Sequence, residues 1–215
     1  MNNERRTYTS TLRAEQARLT QRRIVDAAHR LFVEQGYGPT TMAAVAAAAG
    51  VSAQTVYNAF GSKAALLKRT HDVVLGGDDE DIPLARRPEV IAMYADPDPE
   101  RFLRAYAALG RQLNERLGPL VLVALAGAAA GDPDLTAHVR TINGERLIGT
   151  GMVARRVDEL GALRPDLTVD AARDRVWTLN SIEVWDLLTG VRGWSGDDYE
   201  QWIGEAMCAA VLPRA

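Results

Sequence analysis

Short polar and aromatic side chains occur together within residues 52–58, immediately after a Gly-Val pair. At the N-terminus of a helix, such side chains can hydrogen-bond base edges and phosphate oxygens. Gln54 suits the N6 and N7 atoms of adenine, and the alanine and threonine methyl groups suit the thymine methyl. Tyr57 and Lys63 are better placed for phosphate. The candidate DNA contacts are Thr41, Ser52, Ala53, Gln54, Thr55, Tyr57, Asn58 and Lys63.

Two short helices joined by a tight turn are predicted to carry these side chains. Thr41 caps the first helix, residues 42–49, and Ser52 caps the second, which extends to Phe60. Gly50 permits the positive φ that such a sharp reversal often needs. A preceding helix, residues 20–35, carries apolar side chains at helical spacing, namely Ile24, Ala28, Leu31 and Phe32.

The rest of the chain also has helical character. Strand-like alternation and hairpin signals are absent from the sequence, which predicts an all-α fold. Gly76 to Arg87 contains Gly-Gly, acidic residues and a proline, and is the best candidate for a linker. Further helices are predicted at about residues 63–75, 87–95, 98–117, 119–130, 133–161, 168–191 and 197–211.

Charge is distributed unevenly along the 215 residues, although the net charge is only -3. Residues 1–70 carry ten Lys and Arg against four Asp and Glu, a difference of +6. The remainder carries fifteen against twenty-four, a difference of -9. This asymmetry favours an N-terminal unit that meets a polyanion and an acidic remainder that does not.

Other candidate chemistry in the sequence is weak. Asp78, Asp79, Glu80 and Asp81 are consecutive carboxylates without a partner motif, which is more typical of a solvated loop than of a metal site. His29, His71 and His138 show no metal-binding spacing, and Cys208 lies in an apolar run. We therefore expect no metal, no cofactor and no enzymatic activity. The longest apolar run, residues 119–130, is too short to span a membrane, and no signal peptide is evident, so we expect a cytoplasmic protein.

The stretch 41–67 resembles the DNA-binding domain of the tetracycline-repressor (TetR) family. The resemblance is carried by Gly-Val-Ser at 50–52, Thr-Val-Tyr at 55–57 and Phe-Gly-Ser-Lys at 60–63, in the family's order and spacing. The preceding helix with Gly36-Tyr37 is similar as well, so the resemblance covers about residues 20–75. Residues 177–202 are more loosely similar to C-terminal regions of some TetR-like regulators. Asn58 and Ala59 depart from the bulkier residues of many members, which implies a weaker grip on phosphate.

The resemblance implies a three-helix DNA-binding domain followed by a helical bundle for effector binding and dimerisation. The implied domains are a flexible basic arm (1–17), the helix-turn-helix domain (18–76) and the ligand-binding and dimerisation domain (77–215). Arginines of the arm either contact DNA or belong to a solvated tail. They are Arg5, Arg6, Arg13 and Arg18.

The implied function is that of a ligand-responsive regulator, a repressor that binds a palindromic double-stranded operator as a homodimer and is released by a small-molecule effector. The dimer is expected to form through helices near 168–191 and 197–211. The candidate effector contacts are Met93, Tyr94, Phe102, Tyr106, Leu122, Met152, Trp177 and Trp185. Two alternatives are a metal-dependent helical enzyme using the acidic cluster Asp78, Asp79, Glu80 and Asp81, and an adaptor whose helix-turn-helix binds protein.

Overall fold

The computed structural model describes residues 3–77 and 82–213, with side chains from residue 15 onward. Within these residues the chain is helical and contains no β-strand, which confirms the all-α prediction. None of the described helices is long and apolar enough to cross a membrane. The helices are α1 (Asn3–Gln35), α2 (Met42–Ala49), α3 (Ala53–Phe60), α4 (Lys63–Gly76), α5 (Pro88–Ala95), α6 (Pro99–Ala129), α7 (Pro133–Glu159), α8 (Val169–Leu179), α9 (Ile182–Trp185) and α10 (Gly196–Val211).

The first helix begins much earlier than the sequence analysis expected. α1 starts at Asn3 rather than near Thr20, so most of the segment expected to be a flexible arm is helical. Glycine and proline are absent before Gly36, and Arg, Glu, Gln, Leu and Ala all favour helix, which explains why no break occurs near Thr20. The side chains of Arg5, Arg6 and Arg13 lie outside the described residues.

Two helix boundaries in the second half differ from those predicted. Residues 98–117 and 119–130 form one continuous helix, α6, with Pro119 inside it. Pro119 is exposed, whereas Leu117, Leu120 and Val121 stay buried, so the buried face of α6 continues past the proline. In contrast, the predicted helix 168–191 is interrupted at Asn180, where α8 ends.

The interruption at Asn180 is stabilised by polar groups on both sides of it. The Ser181 hydroxyl accepts a hydrogen bond from the Val184 N–H and caps α9. Arg146 of α7 donates hydrogen bonds to the carbonyls of Trp177 and Asn180, over 2.8 and 2.9 Å. α9 then leads into a π-helical segment, Asp186–Val191, and α10 follows.

The helix-turn-helix core is continuous with the helices that follow it. Ile24, Phe32 and Val56 are completely buried in this core, together with Leu66 and Leu67 of α4. Leu120 and Ala124 of α6 and Leu135 of α7 belong to the same cluster. The first four helices therefore pack directly on the C-terminal helices, and a separate core lies among α6, α7, α8 and α10.

Tyr37 provides a polar link between the two halves of the chain. Its hydroxyl donates a 2.8 Å hydrogen bond to Asp134 at the start of α7, and its ring packs on Phe32. Burial and this hydrogen bond raise the pKa of Tyr37, so its hydroxyl remains a donor at physiological pH. The loop after α1 is thereby attached to α7.

Removing this link is expected to lower stability modestly. Tyr37→Phe keeps the ring and loses the hydrogen bond, and because Asp134 is exposed the free energy of unfolding is expected to fall by about 1 kcal/mol. Urea unfolding measures the difference. Asp134→Asn is the matched control, since it keeps an acceptor and is expected to cost less. An unchanged free energy of unfolding in Tyr37→Phe would contradict this role.

Candidate DNA-reading surface and ligand cavity

α2 and α3 are positioned by capping interactions that the sequence predicted. The Thr41 hydroxyl accepts a hydrogen bond from the Ala44 N–H, and the Ser52 hydroxyl accepts one from the Thr55 N–H. Gly50 between the helices has φ +67°, a left-handed conformation that a side chain would strain. The Thr41 hydroxyl keeps its own proton free to donate to a phosphate oxygen, whereas the Ser52 hydroxyl also shares a 2.8 Å hydrogen bond with the Thr55 hydroxyl.

Residues 52–58, called the reading surface below, project mostly away from the core. Val56 alone is fully buried, whereas Gln54, Tyr57 and Asn58 are exposed. The Gln54 amide donates a 2.8 Å hydrogen bond to Asn58 Oδ1. The second N–H and the carbonyl oxygen of the Gln54 amide remain for contact with bases. Ala53 and Thr55 are half-buried and border this surface.

Lys63 has local partners that sequence reasoning did not anticipate. Its ammonium donates to the carbonyls of Tyr37 and Gly38, over 2.9 and 3.3 Å, and lies 4.1 Å from the centroid of the Tyr37 ring. Lys63 thus ties the N-terminus of α4 to the loop after α1. One of its three N–H donors remains for phosphate.

A cavity of about 600 Å³ lies between α4, α5, α6 and α7, and Asn180 and Ile182 at the break after α8 also line it. This volume is within the range of small-molecule sites, roughly 300–1,000 Å³. Most of its wall is apolar, with leucine, isoleucine and valine side chains from α6 and α7. The fold therefore offers space for an organic molecule of moderate size.

Half of the predicted effector contacts line this cavity. Met93, Tyr94, Tyr106 and Met152 are part of its wall, and Phe102, Leu122, Trp177 and Trp185 are not. Phe102 is completely buried against Tyr94, and Trp185 packs edge-on against Tyr199 at 4.7 Å. Leu122 and Trp177 likewise face neighbouring helices, because helical periodicity predicts burial without distinguishing a cavity from a core.

The polar residues of the cavity wall were missed by the sequence analysis. Arg146, Asn180 and Asn114 line the part next to the break after α8, and Lys68, Asp72 and Glu145 line the part next to α4. Lys68 donates to Asp72 over 2.6 Å and to Glu145 over 3.0 Å, which joins α4 to α7. The spacing of these residues along the chain gives no signal, since they meet only through packing of different helices.

Two histidines also meet at this boundary. His71 of α4 and His138 of α7 are nearly buried, with ring centroids 5.2 Å apart. Burial lowers the pKa of His71 to about 4, with a further contribution from His138, and burial lowers the pKa of His138 as well. Both rings are therefore neutral at physiological pH. His71 lines the cavity and its Nδ1 atom has no hydrogen-bond partner.

Metal chemistry finds little support in the geometry. Across residues 3–77 and 82–213, no three His, Cys, Asp or Glu side chains converge as a metal site requires. Asp78, Asp79, Glu80 and Asp81 lie outside the described residues.

Solved structures share this fold over most of the chain. A transcriptional regulator from Saccharomonospora viridis in complex with choline is 20% identical, with a TM-score of 0.66 over 90% of this chain and 98% of that one. SmeT in complex with triclosan is 20% identical, with a TM-score of 0.69 over 92% and 93% of the two chains. NalD of Pseudomonas aeruginosa, the secondary repressor of the MexAB-OprM multidrug efflux pump, is 21% identical, with a TM-score of 0.65 over 94% and 100%.

The sequence itself identifies the family through its N-terminal part. No curated protein sequence matches the chain significantly. Residues 24–70, from the buried face of α1 to the middle of α4, match the family model of bacterial regulatory proteins of the tetR family. This match contains the capped helix pair, the reading surface and Lys63. The helix-turn-helix region of the chain, residues 24–70, therefore belongs to the tetR family of bacterial regulatory proteins.

Proposed function

We propose that this protein is a ligand-responsive transcriptional repressor that binds a palindromic operator as a homodimer and releases it when a small molecule enters the cavity. The observation that carries the proposal is the position of α4 (Lys63–Gly76). One end of α4 packs in the helix-turn-helix core through Leu66 and Leu67, and the other lines the cavity through His71 and Leu75. A ligand in the cavity therefore contacts the helix that supports the reading surface.

A ligand changes DNA affinity only if it binds two conformations of the protein unequally. α4 supplies a route for such coupling, because the Lys68–Glu145 ion pair and the His71–His138 contact hold it against α7 at the cavity edge. A ligand that separates these groups would shift α4 and the two reading surfaces of a dimer. The complexes of related structures with choline and triclosan support a small-molecule role for the cavity.

Exposed apolar side chains support dimerisation near the predicted helices 168–191 and 197–211. Leu187 and Val191 of the π-helical segment are 57% and 68% exposed. Trp194 and Trp202 are also exposed, with ring centroids 6.0 Å apart. Large exposed apolar groups within one short stretch of chain, here residues 187–202, are typical of protein–protein contacts. We call these four residues the apolar patch and assign it to contact with a second copy of the chain.

The proposal keeps the domain limits inferred from the sequence, with DNA binding in residues 18–76 and effector binding and dimerisation in 77–215. Thr41, Ser52, Tyr57 and Lys63 are assigned to phosphate, and Gln54 with its neighbours to base edges. The protein would act with the DNA in the bacterial cytoplasm, without enzymatic activity.

A salt titration of DNA binding tests the proposal against the enzyme and adaptor alternatives. The logarithm of the affinity for random duplex DNA is expected to fall linearly with the logarithm of the salt concentration. Six to ten phosphate contacts correspond to a loss in affinity of about 10³–10⁵ between 50 and 200 mM salt. Fluorescence anisotropy of a labelled duplex measures the affinity. Absence of DNA binding at low salt would contradict the proposal and leave the alternatives.

Two substitutions on the reading surface are expected to differ in kind. Tyr57→Ala should weaken binding to all sequences by a similar factor, because its hydroxyl is assigned to phosphate. Gln54→Ala should relax sequence preference, with a loss of about 1–3 kcal/mol confined to the preferred base. Competition between preferred and random duplexes distinguishes the two effects. Equal binding by both variants and the parent would mean that α3 does not contact DNA.

A further inference from the structure

The end of the cavity next to Asn180 contains an arginine that is held rigidly in place. Arg146 donates to the Asn143 amide oxygen over 3.3 Å and to the carbonyls of Trp177 and Asn180. Its guanidinium carbon lies 4.9 Å from the centroid of the Trp177 ring. These three hydrogen bonds leave two of the five guanidinium N–H donors without a protein partner. The remaining donors are thus pre-organised for a ligand in the cavity.

The charge of Arg146 is not matched by a nearby carboxylate. Lys68, the other cation that bridges helices at the cavity wall, forms ion pairs with both Asp72 and Glu145. Among the described residues, none forms an ion pair with Arg146 within 4.0 Å. Glu183 also lines the cavity and attracts Arg146 at longer range, but its side chain is exposed to solvent. Burial lowers the pKa of Arg146, which is the sign of a charged group short of stabilising partners.

The Tyr106 hydroxyl adds a further donor close to Arg146. Burial raises the pKa of Tyr106, so its hydroxyl stays protonated, and the Asn180 amide lies against it. Asn180 fits there because residue 110 is glycine, since a Cβ atom at that position would collide with the Asn180 amide. The one acceptor left without a partner is Asn180 Oδ1. Arg146 and Tyr106 therefore favour a ligand group that accepts hydrogen bonds from them, and Asn180 Oδ1 is not part of that contact.

We infer that the cavity binds an amphipathic organic anion, with its carboxylate held by Arg146 and Tyr106. Its apolar body lies along Leu109, Leu113, Leu117 and Val121, which form one wall of the cavity on α6. The free donors, Nε–H and one Nη1–H, lie on different edges of the guanidinium, so a carboxylate oxygen accepts from one of them, and charged hydrogen bonds of this kind are stronger than neutral ones. The inference rests on the proposed effector role of the cavity and specifies the ligand class for it.

Binding of three ligands that share a ten-carbon chain tests the inference. Isothermal titration calorimetry of the full-length protein compares decanoate, 1-decanol and decylammonium. Decanoate is expected to bind at least about tenfold more tightly than the other two, a difference that corresponds to about 1.4 kcal/mol. Equal affinities, or a preference for decylammonium, would overturn the inference.

Variants identify the groups responsible for the preference. Arg146→Gln is expected to abolish it, and Tyr106→Phe to weaken decanoate binding by about tenfold. Arg140→Gln removes the same charge from an exposed position of α7 and is expected to bind like the parent. Since Arg146 also supports the end of α8, Tyr106→Phe decides the question if Arg146→Gln does not fold. A folded variant of either residue that retains the full preference would overturn the assignment.

The same ligands separate this inference from the proposed function. Decanoate that binds with the expected preference but leaves DNA affinity unchanged would support the ligand class and contradict the effector role. Decylammonium or decanol that binds more tightly than decanoate and releases DNA would support the effector role and overturn the ligand class.

Discussion

Val191→Asp is expected to convert the protein from a dimer into a monomer and to lower its affinity for a selected operator by about 10²–10⁴. This range is the gain that a second binding unit provides when both units engage one DNA molecule, and a monomer loses it. Val191 is the most exposed large apolar side chain among those that the structure describes, so the substitution does not disturb the core of the single chain. In a dimer, however, the new carboxylate would be buried without a partner.

Sedimentation equilibrium of the purified protein measures the effect on assembly. Ile91→Asp is the matched control, because Ile91 is 56% exposed on α5 and lies outside the apolar patch. The control is expected to remain dimeric and to bind DNA like the parent. A Val191→Asp protein that stays dimeric would show that the apolar patch is not the interface. A parent that is already monomeric at micromolar concentration would contradict dimerisation itself.

The free energy of unfolding is expected to fall by about 2 kcal/mol between pH 6.5 and pH 5 because of His71. In the unfolded chain His71 has its ordinary pKa of 6.5, whereas the folded protein lowers that pKa to about 4. Between these values the unfolded state binds a proton that the folded state does not, so stability decreases by about 1.4 kcal/mol per pH unit as the pH falls. The stability is fully present above pH 6.5 and fully lost below pH 4.

The groups that face His71 support this direction. His138 and Lys68 disfavour a charge on His71, and only Asp72 favours it. His138, with its own lowered pKa, adds to the decline. Urea unfolding of the parent and of His71→Leu at several pH values between 6.5 and 5 measures the effect. Most carboxylates stay ionised in this pH range. His71→Leu is expected to show a flatter profile, and an equally steep decline in this variant would contradict the assignment.

The helix-turn-helix was predictable because its determinants are local. Thr41 and Ser52 cap helices within three residues of themselves, and Gly50 adopts the backbone conformation that a turn requires. The four predicted buried residues of the first helix are all in the core. Family motifs reinforced these signals, since they lie at fixed spacing in one short segment.

The features that were not predictable depend on packing between distant parts of the chain. His71 and His138 meet although 67 residues separate them, and Arg146 acts on the end of α8. The break at Asn180 lies within an apolar segment whose periodicity continues past it, and only the capping by Ser181 and Arg146 reveals the interruption. In α6 a break predicted at Pro119 does not occur. The side chains buried on both sides of Pro119 stabilise a continuous helix more than the proline disfavours it.

Selection of bound fragments from a pool of random double-stranded DNA tests the central claim most directly. Two reading surfaces related by two-fold symmetry predict an inverted repeat whose half-site centres are one helical turn, about 10–10.5 base pairs, or a multiple of it apart. The full-length parent protein is expected to enrich such a sequence over successive rounds. Enrichment of no sequence, or of a motif without inverted symmetry, would contradict a dimeric DNA-binding regulator.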